Sequence, residues 1–212
     1  MKYSAVIFDL DGVICHTDRY HYLAWKRIAD ELNIFFDEQI NNRLRGVSRA
    51  RSFEIILEAY DGEMSEEEKA SYLDKKNGYY LELLGEMSPK DVSADVQNTL
   101  TQLRRSGVKM AIGSSSRNAK YILERIGLGS FFDAISDGEN ISHSKPDPEV
   151  FLNAGEYLGV SPKDCIVVED AKVGIEAAIA ADMDCAAIGD AASGGLATFN
   201  LARLSDLLKW VL

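Results

Sequence analysis

Short apolar runs alternating with helical patterns are what most constrain the fold of this chain. Ala5-Val6-Ile7-Phe8, Val108-Lys109-Met110-Ala111-Ile112, Cys165-Ile166-Val167-Val168 and Cys185-Ala186-Ala187-Ile188 are short, unbroken and rich in β-branched or small residues. Each reads as a strand covered on both faces. Helical spacing precedes the last three, over 96–105, 150–158 and 173–181. Strand and helix in alternation build a parallel sheet with helices on both faces, and right-handed crossovers make it a Rossmann-like α/β fold.

Residues 16–86 break the alternation. Tyr22, Trp25, Ile28, Ala29 and Leu32 fall near i, i+3, i+4 spacing, as do Phe53, Ile56, Leu57 and Tyr60. Ser65-Glu66-Glu67-Glu68 is a capping box that opens a third long helix, to about Leu84. The expected organisation is a core of residues 1–15 and 87–212 with an all-helical cap, 16–86, inserted after the first strand. Two connectors, 12–17 and 85–89, would let that cap hinge as a unit. A chain of 212 residues is long enough for both domains.

A formal net charge of −11 repels polyanions, so neither nucleic acid nor an anionic membrane surface is an expected partner. An anionic substrate must then be held by a local positive cluster or a metal. The 3 cysteines show no C-x-x-C spacing and read as small buried hydrophobes of a reducing compartment. Lys2-Tyr3 leads straight into the first strand, without a leader, and no apolar stretch is long enough to span a bilayer. A cytoplasmic monomer acting on small molecules is the expectation.

Ligands of open α/β sheets bind beyond the carboxyl ends of the strands. The first strand ends in Asp9-Leu10-Asp11-Gly12, and alternation along the strand would put both acids on one side. Carboxylates held close repel unless a cation lies between them or one is protonated. The second strand ends in Gly113-Ser114-Ser115-Ser116-Arg117-Asn118 before a helical pattern, which suits either an anion site or plain helix capping. Lys145 stands in His143-Ser144-Lys145-Pro146-Asp147-Pro148, where the prolines limit its direction, though a surface lysine reads the same way. The next strand again ends in paired acids, Glu169-Asp170. Asp9, Asp11, Glu169 and Asp170 together form an oxygen-rich set suited to Mg²⁺.

These four motifs, in this order and across the whole chain, resemble those of the haloacid dehalogenase superfamily of phosphotransferases. The resemblance implies that Asp9 is phosphorylated and that Asp11 is the general acid/base and a metal ligand through its carbonyl. It further implies that Ser114 and Lys145 hold the phosphoryl group and that Glu169 and Asp170 complete the Mg²⁺ site. Within the superfamily, Arg45-Gly46-Val47-Ser48-Arg49, Tyr20-His21, Trp25, Lys76-Asn77 and Ser116-Arg117-Asn118 are similar to the β-phosphoglucomutase family.

That similarity implies a substrate site of Thr17, His21, Trp25, Gly46, Val47, Ser48, Arg49, Ser52, Lys76, Ser114, Ser115, Ser116, Asn118 and Lys145. Arg49, Ser116, Asn118 and Lys76 would take the distal phosphate of a bisphosphorylated sugar, with β-glucose 1,6-bisphosphate as intermediate and activator. Lys76 shares the helix face of Leu73, Tyr80 and Leu83 while Lys75 points elsewhere, so it can snorkel or reach a buried phosphate. Arg43, Arg45, Arg49 and Arg51 form a basic run that is either an anion site or a solvated helix start. His16, Arg45 and Arg117 depart from the residues usual in the family, Asp, Lys and Lys. A sugar-phosphate phosphatase, and a non-catalytic metal-binding module, are the alternative readings.

Overall fold

The computed structural model describes residues 2–44 and 48–212. The chain divides into two compact units, Met1–His16 with Met87–Leu212, and Thr17–Glu86. The larger unit is an α/β fold on a six-stranded sheet, built from β1 (Ala5–Phe8), β2 (Lys109–Gly113), β3 (Ala134–Ser136), β4 (Cys165–Glu169), β5 (Asp184–Ala187) and β6 (Phe199–Asn200) in the order β3-β2-β1-β4-β5-β6. Every pairing is parallel, and β1 is flanked by β2 and β4, with Phe8 opposite both Ile112 and Val168. The strand order reverses between β1 and β4, which opens a crevice at their carboxyl ends. Val6, Ile7, Phe8, Ile166, Val167 and Val168 are fully buried, as strands covered on both faces require.

The smaller unit is helical among its described residues: α1 (Asp18–Glu31), α2 (Glu38–Asn42), α3 (Arg49–Leu57) and α4 (Glu66–Leu84). It carries its own apolar core of Trp25, Ile28, Phe36, Phe53 and Ile56. The capping box at Ser65 is present: the Ser65 hydroxyl accepts the Glu68 N–H at 3.3 Å, and Glu68 accepts the Ser65 N–H at 2.8 Å. α2 has 5 residues and no sequence periodicity announces it.

In the larger unit, α5 (Ala94–Arg105) leads into β2, α6 (Ala119–Arg125) follows it, and α7 (Glu149–Leu158) lies on β1, β2 and β3. α8 (Lys172–Ala180) packs on β4 and β5. β3 and β6, of 3 and 2 residues, are strands that the sequence pattern does not reveal. Both sit at edges of the sheet, where a short extended segment is held by its one neighbour rather than by its own apolar pattern. No described helix is long and apolar enough to cross a membrane.

Candidate active site

β1 ends at Phe8, so the pleat that would align Asp11 with Asp9 does not extend to Asp11. A turn places it instead: the Ile14 and Cys15 N–H groups donate to the Leu10 carbonyl at 3.0 and 3.1 Å, and the Gly12 N–H donates to that of Cys15 at 2.7 Å. Gly12 has a φ of +87°, and a Cβ there would lie 2.0 Å from Asp170 Oδ2. Only glycine both adopts that backbone and lets the Asp170 carboxylate lie against it. The first motif thereby receives the last.

Asp9 continues the β1 ladder, its N–H donating to the Val168 carbonyl at 2.9 Å. Its Oδ1 accepts from the Lys145 ammonium at 2.5 Å, and the same ammonium donates to Glu169 Oε1. Lys145, which the sequence leaves open between a surface and a site role, has a side chain 8 % exposed and lies 4.7 Å from the centre of the Phe151 ring. The loop that presents it is clamped from α7, since Glu149 accepts the N–H groups of Ser142 and His143, each at 2.8 Å. The Lys145–Pro146 peptide is cis.

Glu169 is buried, and its second oxygen accepts the Ala171 N–H at 3.0 Å. Gly174 on α8 makes room for it, because a Cβ at that position would fall 1.9 Å from Glu169 Cδ. Phe151, Glu149 and Gly174 are supports that sequence reasoning missed. A glycine inside a helix and a phenylalanine on an apolar face carry no signal of what they touch.

Burial raises the Asp9 carboxyl well above the usual carboxylate range; Lys145 opposes this, while Glu169 and Asp170 add to it. Burial pulls the Lys145 ammonium down, but Asp9 and Glu169 outweigh burial and hold it protonated, above its ordinary value. One ammonium thus faces several carboxylates, and an additional cation is what would ionise Asp9 fully. The donors on offer are all oxygens, as a hard divalent ion requires. Glu169 is engaged at both oxygens, one on Lys145 and the other on the Ala171 N–H.

After β2, the Ser114 hydroxyl accepts the Ser116 N–H and the Ser116 hydroxyl accepts the Asn118 N–H, both at 3.2 Å. Both hydroxyls therefore order the loop that opens α6. The Ser115 hydroxyl is buried without a hydrogen-bond partner.

In the helical unit, Lys76 is buried, 2 % exposed, and its amine lies 2.9 Å from His21 Nδ1. Trp25 and Tyr80 flank it, with ring centres 5.1 and 4.6 Å from the nitrogen. His21 stacks on Tyr80, whose hydroxyl donates to Thr17 Oγ1 at 3.0 Å. Arg49 donates to Asn77 Oδ1 at 2.9 Å, tying α3 to the helix that carries Lys76. Burial and then Arg49 lower Lys76 to about 7, and burial, Lys76 and Arg49 hold His21 well below the usual imidazole range. Ser52 is buried in α3, and the exposed Ser48 caps that helix, accepting the Arg51 N–H at 3.2 Å.

The basic run of the sequence divides here. Arg43 pairs with Glu58 and Arg51 is exposed, whereas Arg49 belongs to the Lys76 group. Arg45, Gly46 and Val47 lie outside the described residues.

The profile of the haloacid dehalogenase-like hydrolase family matches residues 3–182. The chain is similar to a β-phosphoglucomutase of Bacillus subtilis, 40% identical over 96% of this chain and 91% of that protein. It is also similar to a phosphorylated carbohydrates phosphatase of Thermotoga maritima, at 32% identity over 85% of this chain and 82% of that one. A crystal structure of β-phosphoglucomutase from Clostridium difficile superposes with a TM-score of 0.88 at 34% identity, covering 99% of this chain and 95% of the other.

Proposed function

Because the chain belongs to the haloacid dehalogenase-like hydrolase family, we propose that it interconverts β-D-glucose 1-phosphate and glucose 6-phosphate through an aspartyl phosphate and β-glucose 1,6-bisphosphate. The observation that carries this reading is the pair of basic groups. Lys145 serves Asp9 in the α/β unit, and Lys76 with Arg49 stands ready in the helical unit. A phosphatase needs a receptor for one phosphate, and a bisphosphate intermediate needs two. Similarity to a β-phosphoglucomutase at 40% identity supports the same reading.

In this mechanism Asp9 Oδ2 attacks phosphorus as the phosphorus–oxygen bond to the sugar breaks. Lys145 holds Oδ1, which fixes the carboxylate's direction and offsets its charge. Asp11 gives its proton to the departing sugar oxygen and takes one from the hydroxyl that attacks in the second half-reaction. Lys145, Ser114 and the unpartnered Ser115 hydroxyl supply donors to the equatorial oxygens, while Lys76, Arg49, Ser116 and Asn118 receive the remote phosphate. Mg²⁺ bound by Asp9, Asp11, Glu169 and Asp170 would neutralise charge on the transferring group. Thr17, His21, Trp25, Gly46, Val47, Ser48 and Ser52 complete the proposed substrate site.

A sugar-phosphate phosphatase is the second reading, favoured by the similarity to the Thermotoga protein. Incubation with β-glucose 1-phosphate, Mg²⁺ and a trace of the bisphosphate separates the two. Glucose 6-phosphate without stoichiometric free phosphate is expected. Stoichiometric phosphate with no glucose 6-phosphate refutes the mutase reading.

A further inference from the structure

Lys76 occupies a position that is costly for an ammonium. It is 2 % exposed, and among the described residues its polar partner is a ring nitrogen rather than a carboxylate, a cost that the faces of Trp25 and Tyr80 offset only in part. The groups facing it from the helices packed around it are His21 on α1, Arg49 on α3 and Tyr80 on its own helix. The nearby acid of α1, Glu31, is taken by Lys75 and Tyr79. At 2.9 Å, Lys76 and His21 Nδ1 share a single proton between them, so the two groups are not cationic together. A dianion entering beside Lys76 changes this balance, because it supplies a counter-charge that the described residues around Lys76 do not.

Resting on the reading above, that a phosphate ester occupies the helical unit, we propose that this site is proton-coupled. Lys76 stands as a neutral amine beside His21 in the free protein and becomes an ammonium when the phosphate dianion binds, drawing one proton from solvent. No bond other than N–H is made: the amine lone pair takes the proton, and His21 Nδ1 accepts a hydrogen bond from the resulting ammonium. Burial and the Arg49 guanidinium, which bring Lys76 down to about 7, are in keeping with this. The consequence is that affinity for the ester depends on pH through the protein as well as through the ligand. The receptor is also less charged when empty, so it does not bury an unpaired cation between turnovers.

The test is calorimetric titration of the full chain with Mg²⁺ and glucose 6-phosphate at pH 8, in buffers of different ionisation enthalpy. The Asp9→Asn substitution prevents turnover and removes Asp9 as a proton acceptor. A group titrating near 7 is about nine-tenths neutral at pH 8, so an uptake of about 0.9 proton per ligand is expected, falling to about half a proton or less at pH 7. Adding Lys76→Met should abolish the uptake. Binding with no uptake at pH 8, or an uptake that fails to fall at pH 7 or survives Lys76→Met, overturns the proton coupling and leaves the sugar-phosphate reading standing. If glucose 6-phosphate does not bind the chain with an intact Lys76, the sugar-phosphate reading itself fails and takes the coupling with it.

Discussion

Gly174→Ala is the most revealing single substitution in the α/β unit. The new Cβ would lie 1.9 Å from Glu169 Cδ and Oε1 and 2.5 Å from Oε2, well inside any tolerable contact. The chain has two ways to relieve this. Swinging Glu169 away separates it from Lys145 and from the Ala171 N–H, and unpairing a buried ion pair costs about 3–5 kcal/mol. Shifting α8 is overpacking, at about 1–3 kcal/mol, and this cheaper route decides the outcome. Alanine returns about 1 kcal/mol of helix propensity, which leaves a net loss of up to about 2 kcal/mol. Gly78→Ala on α4 isolates the propensity, since a Cβ there meets nothing within 4 Å, and it should stabilise. Urea unfolding followed through Trp210, which stacks on Phe199 in the α/β unit, reads Gly174→Ala, and through Trp25 in the core of the helical unit reads Gly78→Ala. In a Glu169→Ala background the clash is gone and Gly174→Ala should turn stabilising, a coupling of about 2 kcal/mol. Additive effects of the two substitutions, or a Gly174→Ala chain as stable as Gly78→Ala, would refute the reasoning.

Lys76 links function to stability in the helical unit. Its folded value of about 7 lies below its ordinary 10.5, so the unfolded chain binds more protons between those limits and stability rises with pH across the window. Lys76→Met should therefore raise the unfolding free energy obtained from urea titration through Trp25 at pH 7 by a few kcal/mol, a gain that fades towards pH 10; an equal gain at both pH values would count against a buried, poorly paired amine. Ser65→Ala removes one half of a capping box and should cost the helical unit about 1 kcal/mol in the same assay. Asp9→Asn should abolish turnover and capture of phosphoryl label by the protein; residual activity near that of the unsubstituted chain excludes Asp9 as nucleophile.

The sheet was legible because its four long strands are buried on both faces and so write unbroken apolar runs into the sequence. β3 and β6 were not, because 3 and 2 residues cannot establish a period. Lys76 was legible from spacing, since one helix face carries Tyr80 and Leu83 with it into the interior. Lys145 was named through the resemblance rather than through spacing, since its partner Asp9 is 136 residues away. Asp11 shows a rule applied one step too far: alternation governs a strand, and this one stops at Phe8. The basic run misleads in the same way, because sequence proximity does not reveal that Arg43 turns to Glu58 and Arg49 to Asn77.

Glu169 and Asp170 are adjacent in the chain yet serve different neighbours, the first facing Lys145 and Gly174, the second Gly12. Their assignment depends on β4 pairing with β1 so that Val168 stands opposite Phe8. A slip of one residue would move one acid into the other's place, carry the other out of its own, and turn every β4 side chain to the other face. Correct assembly and chemical competence are thus read from the same ladder, and a mispaired chain would lose activity as well as stability. Activity per molecule therefore doubles as an assay of strand register.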